Sequence, residues 1–244
     1  MFYRVHFPET PFSIIPFNIN AGDNLGLMVV VTLDALGLPV LITAVNTCGC
    51  YVAMVPTSFL PQDAFPRDWE NRPQEVYGEK LPWILDYAGV KAPRLLVRLR
   101  PEVHRVMGLE VIESRHLNDR RAFRTIRAPL IPSEELEEIP VNGSTTSFYY
   151  QEGAWRGHVK GAVKPMETLL LGLISLDFYV GMDKSYLGST SCGNPFYTSL
   201  KPWNREESDM ADFPEFLRFW GWNLYLRQDI WPCRSNFQLR SEDF

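Results

Sequence analysis

Two runs rich in β-branched residues, Gly26-Leu-Met-Val-Val-Val-Thr-Leu-Asp34 and Pro39-Val-Leu-Ile-Thr-Ala-Val45, lie four residues apart. Val and Ile keep few rotamers in a helix but pack well on a pleated surface, so both runs favour strands. Between them Asp34 and Gly37 supply turn chemistry, and the unit reads as a β-hairpin. A strand with one wet face alternates apolar and polar residues. These runs do not alternate, so both faces of the sheet they build must be covered. Tyr51 to Val55 reads as a third strand and Phe12 to Ile19 as a preceding one.

Six prolines between positions 56 and 93 make that stretch irregular surface chain, with a helical turn expected around Trp83 to Tyr87. Then Arg94-Leu-Leu-Val-Arg-Leu-Arg100 places Leu95, Val97 and Leu99 on one face and Arg94, Arg98 and Arg100 on the other. That period is a half-buried strand. Gly108 to Ser114 can pair with it. Ser133 to Glu138 reads as a solvated helical turn, and Asn142-Gly143 as a turn opening a strand.

The last third changes character. Pro165 opens an apolar run to Val180, with Pro where a helix tolerates it. It is apolar around most of its circumference, the pattern of a buried central helix. Asp212-Phe-Pro-Glu215 has capping-box spacing and predicts a helix over 213–228, with aromatic residues on several sides. The expected fold is therefore α+β: a β-rich N-terminal part with an antiparallel or mixed sheet, packed against two main C-terminal helices near 167–182 and 213–228. A boundary near residue 150 would divide a β-rich part, 1–150, from a helical part, 151–244. The helices can equally cover the sheet within one continuous domain.

Composition excludes several classes. Hydrophobic residues at 45% and charged residues at 22% mark a folded protein rather than a disordered one. No uncharged apolar run reaches the ~18 residues of a membrane span. The N-terminus lacks the basic and apolar regions of a secretory signal, and four cysteines are too few for a disulfide scaffold. Cytoplasm is the location left by elimination. Net charge of −5 gives no global attraction to nucleic acid. Nine Arg against four acids between 94 and 127 leave a local +5, yet Phe123 is the lone aromatic there. Single-stranded nucleic acid needs stacking platforms beside its cations, so the Arg face is expected to pair with acids such as those of 134–138.

Chemistry has few places to sit. Cys48 and Cys50, two apart on extended chain, would present both thiols to one side. Such a pair can begin a zinc or iron site, or a thiol site. The plain alternative is two small buried residues ending a core strand. Downstream, Arg156, His158, Lys160 and Lys164 run into the Pro165 helix with Gly157 and Gly161 among them. Cations at a helix N-terminus can hold a carboxylate or phosphate, although the phosphate-loop order of residues is absent. The plain alternative is an exposed basic loop. Asp177 in the apolar helix, and Cys192 with His158 as base, are further candidates, each with an ordinary structural explanation. Two functions follow from these residues. One is a non-catalytic binding protein holding a small anionic ligand at Arg156–Lys164. The other is an enzyme with a metal or thiol site at Cys48/Cys50.

Overall fold

The computed structural model describes residues 1–15, 17–47, 51–101, 103–119, 130–153, 155–175 and 213–224. Its centre is a four-stranded antiparallel meander in the order β1 (Phe2–Thr10), β2 (Gly22–Leu33), β3 (Pro39–Asn46), β4 (Val52–Pro56). The β2–β3 turn is built as its residues dictate. Asp34 Oδ1 accepts the amides of Leu36 and Leu38 at 2.9 and 2.8 Å, and Gly37 takes φ +80°. Pairing runs Met28 to Val45 and Val31 to Ile42, then Ile42 to Val55. The strand before the hairpin is Phe2–Thr10, not Phe12–Ile19. The latter stretch forms a loop, closed by an Ile14–Phe17 bridge, with Ile15 90% exposed. β2 is already paired by Phe2–Thr10 along one edge and by β3 along the other, so the later stretch finds no free edge there.

Each sheet face has its own cover, as unbroken apolar strands require. On one face Met28, Val30, Leu41, Val45 and Met54 meet α3 (Phe213–Phe219) through Phe213, Phe216 and Leu217. On the other, Leu27, Val29, Ile42, Ala44 and Val55 meet Leu109 and Val106 of a β-hairpin, β7 (Pro93–Leu99) with β8 (Val106–Glu113). In β7 the side chains of Leu95, Val97 and Leu99 pack on this core while Arg94 and Arg98 are exposed. Residues 74–81 add a short hairpin, β5 (Gln74–Val76) and β6 (Glu79–Leu81). The helical turn expected at Trp83 to Tyr87 is absent; Leu85 instead bridges Thr57. Asn142 and Gly143, at φ +48° and +81°, turn β9 (Ile139–Val141) into β10 (Ser144–Thr146).

The α+β expectation is overturned. Among the described residues the chain is β-rich, with four antiparallel sheets and three α-helices: α1 (Ser114–Asp119), α2 (Pro165–Ser175) and α3. Among the described residues α3 alone of the C-terminal helices joins a sheet core. Two physical reasons account for this. First, α3 stops after seven residues, where a helix to 228 was expected. Gly221 at φ +86° lets its amide bond to Arg218 O and the Trp222 amide bond to Leu217 O. This is the paired-bond helix stop that glycine permits, with Trp222 packed beside Leu217. Second, the sheet face opposite α3 is taken by the β7–β8 hairpin. No described residue of α2 joins either sheet core, and Leu169 is 54% exposed. Apolar composition alone does not say which partner an element finds.

The segment 147–164 anchors beside the sheet rather than on its faces. Asp23 and Val163 exchange backbone bonds of 2.9 and 3.2 Å, and Asn24 Nδ2 donates to Lys160 O at 2.9 Å. Gly22 permits the approach: a Cβ there would stand 1.9 Å from Val163 O. Tyr149, Val159 and Ala162 make a small separate core.

Candidate functional site

The four basic-segment residues divide into two exposed and two buried. Arg156 and Lys160 are exposed, and Lys160 Nζ lies 3.2 Å from Thr146 Oγ1. His158 is buried, its Nδ1 donating to Trp155 O at 3.0 Å, with the Trp155 ring edge-on. Lys164 is buried too, its Nζ 3.3 Å from Glu167 Oε2, with the two side chains 2% and 0% exposed. Glu167 is the third residue of α2, where a helix N-terminus favours a carboxylate. The anion that Lys164 meets is therefore the chain's own. Several amides of the segment are also spent within the fold. Those of Arg156, Gly157, His158, Lys160, Ala162 and Val163 bond to backbone carbonyls.

Cys48 and Cys50 lie outside the described residues, as do Asp177, Cys192 and Cys233. Among the described residues no group of three or more His, Cys, Asp and Glu could hold a metal ion. The Arg-rich face finds carboxylates close by. Arg98 pairs with Glu110 at 2.6 Å, Arg115 with Glu113 at 2.6 Å, and Arg100 grips buried Glu79 through Nε and Nη2. That grip holds the Glu79 carboxyl below the usual range, against the opposing effect of its burial. Acids of β6 and β8 meet these three cations, while Arg120, Arg121, Arg124 and Arg127 of the same stretch lie outside the described residues.

The surroundings of His6 shift it strongly. Burial, then the Arg4 guanidinium, push it down to about 3 from the ordinary 6.5, opposed by the Asn24 carbonyl. Arg4 Nε donates to His6 Nε2 at 2.7 Å, and Phe148 packs edge-on at 4.8 Å. A neutral ring suits such a partner. Because the unfolded chain takes up this proton at higher pH than the folded one, His6 costs stability as pH falls from 6.5 towards 3. His6→Gln is expected to lose less stability than wild type between pH 7 and 4.5, read by urea unfolding at each pH. Parallel losses would contradict it.

Among the described residues a cleft lies on the α3 side of the sheet. Half-open and of about 230 Å³, it is lined by Val52, Met54, Asp68, Trp69, Trp220 and Trp222, with Gln74 and Val76 beside them. Trp222 is the innermost indole, 2% exposed, and donates from Nε1 to Met54 Sδ at 2.8 Å. The Trp69 ring stands 4.9 Å from it at 57°, backed by Phe65. Gln74 is fixed at the rim, where its Nε2 donates to Met54 O and Pro82 O at 3.0 and 3.2 Å. The helix stop at Gly221 builds this cleft: it turns the chain so that Trp220 and Trp222 both line it. Asn223 N then bonds to Ala64 O at 3.0 Å and ties this end to the 62–69 loop.

No family model, curated protein or solved structure matches the chain. The site therefore rests on its own geometry. Sequence reasoning singled out neither Asp68-Trp69 nor the cleft. The signals it held were seven Trp in 244 residues and a helix aromatic on several sides.

Proposed function

We propose that this chain is a non-catalytic binding protein whose small ligand seats in the Trp69–Trp220–Trp222 cleft. The observation that carries the reading is a concavity walled by three indoles, whose lining contains no Cys, His, Ser or Lys. Apolar and aromatic walls with a few placed polar groups are how proteins hold small molecules. Turnover needs a nucleophile or an acid–base pair, and Asp68 is the sole ionisable residue in the lining. The volume falls below the ~300–1,000 Å³ of drug-sized sites, which suits a head group or one side chain.

An anionic ligand at the basic segment has less support. Lys164 is matched by Glu167, and Arg156 and Lys160 remain at the surface. Nucleic acid is disfavoured by the net charge of −5 and the paired Arg face. Among the described residues no helix is long and apolar enough to cross a membrane. A cytoplasmic address belongs to the same reading, on the sparse cysteines.

Tryptophan fluorescence tests the proposal with three probes: tetramethylammonium, 3,3-dimethylbutan-1-ol and sulfate. Saturable quenching by either of the first two, lost in Trp69→Ala, is expected. Response to sulfate alone would return the ligand to the basic segment, and no response to any would end the reading.

A further inference from the structure

We infer that the cleft takes a methylated ammonium group, a cation wrapped in apolar surface. This rests on the reading of the cleft as the ligand site and adds the ligand's charge. Three observations point to it. The cleft lining holds one carboxylate, Asp68, and no Lys or Arg. Three indoles line it, Trp69 and Trp220 half-buried and Trp222 behind them in the core, and the negative face of a Trp ring attracts cations more strongly than other aromatic side chains do. Trp69 and Trp222, at 4.9 Å and 57°, form two neighbouring sides of an angular box rather than a flat stack. Trp220, at the helix stop, joins them in the lining.

The remaining lining selects against other cations. Val52, Ala53, Met54, Pro66 and Val76 offer methyl and methylene surface. A bare ammonium would lose its hydration there and find few acceptors, at a desolvation cost that its charge makes large. N-methyl groups remove that cost, because they spread the charge over an apolar shell and present no donor that must be satisfied. Anions are disfavoured by Asp68 and by the π faces together. Asp68 itself is exposed at the rim, where it can meet the positive charge without being buried.

The same chemistry can come from a free small molecule or from a methylated lysine on a peptide. Fluorescence titration of the full chain separates these sources and tests the inference. The probes are choline, its uncharged carbon analogue 3,3-dimethylbutan-1-ol, and a five-residue peptide carrying trimethyl-lysine or lysine at its centre. Choline is expected to bind at least about tenfold more tightly than the analogue, the ratio that a desolvated cation–aromatic contact supports. The trimethylated peptide should exceed the unmodified one by a similar factor. If it also exceeds choline, the source is a peptide; if choline is the tighter, a free molecule. Asp68→Asn, an exposed substitution that leaves the core untouched, should weaken choline about threefold and the analogue not at all. Equal affinity for choline and its analogue would overturn the inference while leaving the cleft as a ligand site. If neither they nor the peptides bind, both readings fall.

Discussion

Phe216→Ala is expected to lower the unfolding free energy by about 3–5 kcal/mol, the usual cost of truncating a buried aromatic ring. Phe216 is fully buried and sits where α3 meets Met28, Val30, Leu41 and Met54. Its ring stacks on Phe213 at 6.0 Å and meets Trp220 edge-on at 6.3 Å. Truncation therefore opens a void at the one helix that covers this sheet face among the described residues. Because Trp220 and Trp222 follow on the same helix stop, the cleft should loosen as well. Urea unfolding followed by tryptophan fluorescence reads both effects, and Phe216→Leu should retain most of the stability. A loss under about 1 kcal/mol for Phe216→Ala would mean that α3 is not seated on the sheet.

Lys164→Met should be comparably severe. It strands the Glu167 carboxylate in the interior without the ammonium that faces it, and breaking a buried pair from one side costs about 3–5 kcal/mol. No hydrogen-bond donor is aligned on either Glu167 oxygen, so the 3.3 Å ion pair is what offsets its burial. The double variant Lys164→Met/Glu167→Leu should recover most of the loss, since an apolar pair of similar volume removes both desolvation penalties. Chemical denaturation of the three variants measures the coupling. If Lys164→Met alone proves neutral, Lys164 is not a buried charge, and the basic segment regains a cation for an external anion.

The sheet was legible because its signal is local. Unbroken Val and Ile runs, Asp34 and Gly37 between them, and the Leu95-Val97-Leu99 alternation each specify backbone and facing within a few residues. What covers the sheet was not legible. A Leu-rich helix and a β-hairpin can both bury an apolar face, and choosing between them depends on chain paths that no short window encodes. The length of α3 was misread because the aromatic run continues past Gly221, whose left-handed turn ends the helix all the same.

The site was obscured for a related reason. Charge drew attention to Lys164, yet the carboxylate it needed was three residues on, at Glu167. Conversely Trp69 and Trp222 lie 153 positions apart in the chain, and their 4.9 Å meeting leaves no pattern in sequence. Seven Trp pointed to a heavily packed interior or an apolar contact surface. They could not announce that three of them converge beside one aspartate.

In the proposed site those three indoles act together on one ligand. The direct measurement is the indole N–H spectrum of the full chain titrated with choline, each signal assigned by Trp→Phe substitution. The signals of Trp69, Trp220 and Trp222 should move along one saturation curve while those of Trp83 and Trp155 stay still. Movement confined to Trp155, beside the basic segment, or no movement at any indole would contradict it.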